Sequence, residues 1–213
     1  IVLPDLADAV EVYHTNPKIY YIPKQPTLGG DNEAYGGELY LVEERPDEDW
    51  SNLASFGNSE EIISTPDMVE KMMKNGRHYV DQPWMLRTRL FDIVIGDWDR
   101  HDDQWRWASF ENKEEGRTRY RPIPRDRDQP FSKYDGMVAG IARLTLPFLK
   151  QLKPYSGKEV DKKWDNYGGR QIDQTFLTEL EWKDWEIQVK RIQEELTDQV
   201  IETAFKKHWP EPA

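Results

Sequence analysis

Acidic side chains crowd two short stretches of the chain, and each stretch follows an apolar run. Phe91, Ile93, Val94, Ile95 and Gly96 lead into Asp97, Trp98, Asp99, Arg100, His101, Asp102, Asp103 and Gln104, and further on Ile123 and Pro124 lead into Asp126, Arg127 and Asp128. Oxygen-rich sets of this kind suit a hard cation such as Mg²⁺, which is usually held by one or two carboxylates, water and substrate phosphates. Asp126 and Asp128 are the candidate metal ligands, and Gln104 adds an amide carbonyl. Asp99, in the middle of the first loop, is the candidate base for orienting a hydroxyl. Arg100 and Arg127 are candidate phosphate contacts, because a guanidinium grips phosphate through paired N–H groups. His101 either contacts phosphate or fixes the loop. Each residue type also has a plainer use. Asp is common in turns, where its side chain bonds backbone N–H groups. The Asp126-Arg127-Asp128 run also reads as a solvated, salt-bridged face, and Trp98, Trp105 and Trp107 read more readily as packing than as a ligand platform.

The elements between the two clusters decide whether they meet. Trp105 to Phe110 alternates in polarity, Glu111 to Gly116 is a charged turn, and Thr118 to Ile123 is the return strand of a hairpin. Antiparallel pairing brings the two ends of such a hairpin together, so both acidic clusters are expected at one end. Upstream, a helix from about Gln82 to Ile95 is expected, with Asp81 as its cap and Pro83 in its tolerant first turn. Trp84, Leu86, Leu90, Phe91, Val94 and Ile95 form its expected buried stripe, and Gly96 releases the chain into the acidic loop. Thr65 as cap and Pro66 at the first helical position predict another helix, ending at Gly76.

The N-terminal part reads as a short helix over 3–12, a strand over 19–22, a loop over 23–36 and a strand over 37–45. Glu43, Glu44 and Arg45 at the end of that strand suggest an ion-pair network. Downstream, the pattern predicts an apolar helix over 137–150 and a loop over 151–172 that contains Tyr167-Gly168-Gly169-Arg170. A short helix capped by Asp173 follows, then one long helix from Glu181 to about Lys207 with Trp185, Val189, Ile192, Leu196 and Val200 on its apolar face.

Composition narrows the classes. The 213 residues suffice for one domain of ordinary size. With 29 basic against 40 acidic residues the net charge is −11, the wrong sign for a general nucleic-acid-binding protein. There is no cysteine, which excludes disulfides and thiolate zinc sites. No run approaches the ~20 apolar residues needed to cross a bilayer, so no direct membrane insertion by this segment is expected.

The stretch F-D-I-V-I-G-D-W-D-R-H-D-D-Q-W-R-W, followed by Y-R-P-I-P-R-D-R-D-Q-P-F, resembles the catalytic segment of atypical protein-kinase-like proteins: the HipA-like, spore-coat CotH-like and secretory-pathway kinases. With H-T-N-P-K-I-Y-Y-I-P and L-Y-L-V-E-E-R-P, it looks most like a group of Bacteroidetes envelope proteins in which such a segment can accompany a calcineurin-like phosphoesterase domain and an outer-membrane surface-antigen barrel. The similarity covers roughly residues 4–140, and its kinase-like part rests mostly on 90–131. It implies an α+β, mainly helical fold: a kinase-like C-terminal lobe over 61–213, containing a two-stranded catalytic hairpin, and a partial N-terminal lobe or linker over 1–60. It also implies that the family's Asp-Arg-His falls on Asp99, Arg100 and His101, with Asp99 as the catalytic base, that the metal-binding amide falls on Gln104, and that the second acidic element falls on Asp126 or Asp128, with Asp126 preferred. Mg²⁺ or Mn²⁺ and ATP are the implied cofactors, and nucleotide and an unknown hydroxyl acceptor the implied partners. Further domains of a longer chain and a place in the cell envelope are implied as well.

The sequence departs from the family at three points. Gln104 stands where Asn is usual, and neither a G-x-G-x-x-G loop nor a V-A-I-K-like strand is present. Lys24 and Lys18 match the missing phosphate-pairing lysine by residue type only. These departures leave open an inactive form in which the fold serves as a structural or binding module. Trp50, Trp98, Trp105 and Trp107, with paired acids such as Asp97 and Asp126, keep a carbohydrate-binding or glycoside-cleaving alternative open, which requires exposed, aligned indoles.

Overall fold

The computed structural model describes residues 1–134, 149, 154–156 and 166–209; the helix expected over 137–150 lies almost wholly outside them. Among the described residues the fold mixes α and β, with more helix than strand and two small sheets.

The helices obey their local signals with small shifts. Helix α1 spans Leu3–Ala9. Helix α3 spans Thr65–Lys74, and its cap is Ser64, whose side chain accepts from the Asp67 N–H, so Thr65 lies inside the helix and not at the cap. Helix α4 spans Gln82–Ile95 as expected: the Asp81 side chain accepts from the Trp84 N–H, and Gly96 closes the helix at φ 73°, a left-handed conformation that costs glycine little. Its buried face differs from the expected one. Met85, Leu86, Phe91 and Ile95 are buried, but so are Arg87, Thr88, Arg89 and Asp92, whereas Val94 is exposed. The expected loop over 23–36 carries a short helix, α2 (Asn32–Tyr35).

The expected hairpin forms from strands Trp105–Asn112 and Arg117–Pro124, but it is the centre of a larger sheet. With β1 (Lys18–Ile22) and β2 (Glu38–Val42) pairing elsewhere, the strands of this sheet are β3 (Ile62–Ser64), β4 (His78–Val80), β5 (Trp105–Asn112) and β6 (Arg117–Pro124), in the order β3-β5-β6-β4. Only the β4–β6 pair is parallel. Beyond the sheet come α5 (Arg170–Phe176), α6 (Trp182–Glu195) and α7 (Asp198–His208). Asp173 lies within α5 and does not cap it. The expected long C-terminal helix is broken, because Thr197 accepts from the Val200 N–H and starts a new helix there.

Packing joins the two ends of the chain. Val2, Leu6, Ala7 and Val10 of the N-terminal segment share a core with Phe91 and Ile95 of α4, Ile192 of α6 and Ala204 of α7. Tyr13 and Phe56 pack with Ile62, Ala108 and Ile123 of the sheet. Trp105 and Trp107 are completely buried with Met68, Met85 and Phe176. The β1–β2 ribbon is different. Its register sets Ile19 opposite Leu41 and Tyr21 opposite Leu39, so all four share one face, and all four are exposed.

Because α1 is part of the core and not an appendage, Leu6→Ala is expected to cost about 2–5 kcal/mol, the range for emptying a buried leucine site. Urea unfolding measures it; a loss below about 0.5 kcal/mol, typical of surface substitutions, would show that α1 merely rests on the surface.

Candidate functional site

The two acidic clusters meet, and the contacts that join them are specific. The Arg125 N–H donates to the Gln104 carbonyl at 2.8 Å, directly beyond the last β5–β6 pair, Trp105 with Pro124. Gln104 Nε2 donates to Asp126 Oδ2 at 3.3 Å and lies 3.2 Å from His101 Nε2. Arg100 completes the joint: its Nη1 donates to the Arg125 carbonyl at 2.9 Å and its Nη2 to the Asp126 carbonyl at 3.1 Å. Asp102–Gln104 forms one 3₁₀ turn that swings the chain into β5.

The predicted residues separate by exposure. Arg100 is fully buried, and its guanidinium is taken up by the backbone carbonyls that join the two loops. Asp99 is half-buried, and among the described residues its carboxylate has no hydrogen bond or ion pair to protein. His101 is exposed. Asp126 is exposed and holds φ 50°, a left-handed conformation uncommon for a non-glycine residue and tolerated best by Asp and Asn. Asp128 is exposed and accepts from Gln129 Nε2. Lys24 pairs with Glu33 at the far end of the β1–β2 ribbon, and on the order of 20 Å of chain, at about 3.3 Å per residue, separates it from Lys18 at the near end. Lys24 is not among the residues that line the cleft with Asp126, Arg127 and Asp128.

Behind the loops lies a charge network that periodicity did not reveal. Asp92, with no exposed surface, accepts from Arg127 Nη2 at 2.7 Å and from Arg89 Nη1 at 2.8 Å. Arg89 also donates from Nε to Asp173 at 2.7 Å. Asp97 is buried between Arg100, at 3.1 Å, and Arg127, at 3.7 Å, yet neither of its oxygens is aligned to accept a hydrogen bond. Burial dominates its protonation: with help from the nearby Asp92 charge it pushes the Asp97 carboxyl up to about 7, against the pull of Arg100, Arg127 and Arg89. An Arg and an Asp three apart among the buried positions of a helix, as at Arg89 and Asp92, are the sequence signal for such a network.

Asp126, Arg127 and Asp128 line a cleft of about 80 Å³ whose other walls include Leu3 and Pro4 of α1, His14, Thr15, Leu41 of β2 and Glu43. Asp99 and Gln104 are not among its lining residues. Thr15 Oγ1 donates to Glu43 at 2.7 Å and the Asn16 N–H to Glu44 at 2.6 Å, so these glutamates brace the 14–16 turn, and among the described residues none of Glu43, Glu44 and Arg45 forms an ion pair. A volume of 80 Å³ accommodates a phosphate-sized group, whereas sites for drug-sized ligands run to about 300–1,000 Å³. Among the described residues no three His, Asp or Glu side chains converge closely enough to hold a metal by themselves. Trp105 and Trp107 are buried, which removes two of the four indoles that a sugar-stacking surface would use.

Compared with models of known protein families, with curated proteins and with solved structures, the chain matches none. No helix among the described residues is long and apolar enough to cross a membrane.

The Asp97 carboxyl gives a signed pH prediction. Its folded pKa lies above its unfolded value, so the native state holds the extra proton and stability falls as pH rises through about 7. Asp97→Asn removes this dependence. The difference in unfolding free energy between variant and wild type is therefore expected to move in favour of Asp97→Asn from pH 5 to pH 8, as read by urea titrations. A constant difference would mean that Asp97 stays ionised throughout.

Proposed function

We propose that this chain is the C-terminal lobe, with part of the N-terminal lobe, of an atypical kinase-like phosphotransferase that moves a phosphoryl group from ATP to a hydroxyl acceptor. The supporting observation is the joint itself: Gln104 within 3.3 Å of Asp126, with Arg100 tying the loop that carries Asp99 to the carbonyls of Arg125 and Asp126. Phosphoryl transfer asks little covalent chemistry of a protein; it needs an oriented nucleophile and groups that offset phosphate charge. In this reading Asp99 accepts the acceptor hydroxyl proton as the oxygen–phosphorus bond forms and the bond to the leaving ADP breaks. Asp126 and Asp128 would hold Mg²⁺ or Mn²⁺ together with the side-chain amide oxygen of Gln104. Two carboxylates and an amide fit an ion that keeps waters and phosphate oxygens in its shell. When bound, the ion supplies positive charge to the phosphates. Arg127, which lines the cleft, would contact the phosphate.

A second reading has its own observation. The apolar face of Ile19, Tyr21, Leu39 and Leu41 is exposed, and a two-stranded ribbon is at best marginally stable alone. That surface suits a non-catalytic module that binds another part of a larger envelope protein.

Calorimetric titration with MnATP separates the two. The phosphotransferase reading expects nucleotide-dependent binding in wild type and at least a tenfold loss, about 1.4 kcal/mol, in Asp126→Ala/Asp128→Ala. Asp99→Asn is expected to keep that binding and to lose transfer. Absence of binding in wild type would sink the phosphotransferase reading for this chain and leave the binding module.

A further inference from the structure

Gly168 and Gly169 belong to neither acidic cluster, yet both are packed against the site. A Cβ on Gly168 would lie 2.5 Å from the Trp98 carbonyl oxygen and 3.2 Å from the Arg100 nitrogen. Those two atoms belong to the peptide groups on either side of Asp99. The obstruction is backbone, which cannot swing aside as the end of a flexible side chain can. On Gly169 a Cβ would fall inside the Arg89 guanidinium. Arg89 is itself fixed, donating to Asp92 and Asp173 and, from Nη2, to Asn166 Oδ1 at 2.5 Å. Asn166 Nδ2 donates to Asp173 Oδ2 at 2.7 Å and so fastens the start of the turn to α5. The turn over 166–169 thus packs against the Trp98 and Arg100 backbone atoms that flank Asp99 and reaches the 126–128 loop through Arg89, Asp92 and Arg127.

We propose that the Gly168-Gly169 turn is the positioning element for Asp99: its lack of side chains lets it lie flush under the Trp98–Arg100 backbone and fix where the Asp99 carboxylate points. The functional half of this inference rests on Asp99 being the base for phosphoryl transfer. The geometric half does not. Neither glycine touches reacting atoms, so the expected signature is a change in turnover without a matching change in nucleotide affinity.

The test uses the ¹⁵N-labelled chain and two variants. Gly168→Ala adds one methyl group at the contact. Asn166→Ala adds no atoms and only releases the fastening, so it keeps the question open should Gly168→Ala fail to fold. Both are expected to shift or broaden the Asp99 and Arg100 amide resonances while those along β5 and β6 stay in place. With MnATP and whichever hydroxyl acceptor supports turnover, kcat is expected to fall by about tenfold or more in Gly168→Ala, since displacement of a positioned group by 1 Å can cost 10²-fold, with KM for MnATP within about twofold. Unmoved Asp99 and Arg100 resonances in both variants would overturn the proposal, as would equal losses in kcat and in nucleotide affinity. If wild type transfers no phosphoryl group, the phosphotransferase reading fails, and the resonances alone decide whether the turn sets Asp99.

Discussion

A guanidinium with no access to water must find acceptors inside the protein, and Arg100 is in that position. Leaving such a charge unpaired costs several kcal/mol, so the chain segments that supply its acceptors are held where they are. Its acceptors are the carbonyls of Arg125 and Asp126, and its nearest counter-charge is Asp97. Trp105 closes over it, with the guanidinium 5.9 Å from the ring centroid and the indole N–H donating to the Arg100 carbonyl. One side chain therefore fixes the entrance of the β5–β6 hairpin to its exit. The same device repeats outward, where Arg127, Asp92, Arg89 and Asp173 alternate in charge from the acidic loop through α4 to α5.

This arrangement explains which features could be read from the sequence. The hairpin, α4 with its Asp81 cap and Gly96 stop, and the meeting of the two clusters all follow from local pattern: strict alternation, a capping side chain, and the geometry of antiparallel pairing. Strands β3 and β4 did not announce themselves, because three residues are too few to show a period and both strands are recruited by the edges of the hairpin. The C-terminal helix looked continuous because Leu196 keeps the apolar spacing, while Thr197 captures a backbone N–H and starts a new helix. The charged core of α4 was invisible to any rule that places charges outside. Arg89 and Asp92 are buried because each is the other's partner, and periodicity carries no information about pairing.

At the level of single residues the outcome was mixed for the same reason. Asp99, Gln104, Asp126 and Asp128 sit on or beside the joint that hairpin geometry predicts. Lys24 was matched by residue type alone and Arg100 by its place in the Asp-Arg-His run, and neither says where a side chain is used: Arg100 is buried and bonds backbone carbonyls, and Lys24 pairs with Glu33. The cleft beside Asp126 has room for a phosphate-sized group, so a nucleoside would need walls beyond those that line it. The exposed apolar face of the ribbon borders the same cleft through Leu41.

In the proposed reading Asp126, Asp128 and Gln104 together hold a divalent cation against nucleotide phosphates. Mn²⁺ is paramagnetic and broadens nuclear resonances close to where it binds, so a titration of the ¹⁵N-labelled chain with Mn²⁺ in the presence of a non-hydrolysable ATP analogue locates the ion directly. The amides of Gln104 and Asp126 to Asp128 are expected to broaden first, and only when nucleotide is present. Broadening that begins instead at exposed carboxylates elsewhere, such as those of α6 or the ribbon, or that is the same without nucleotide, would contradict it.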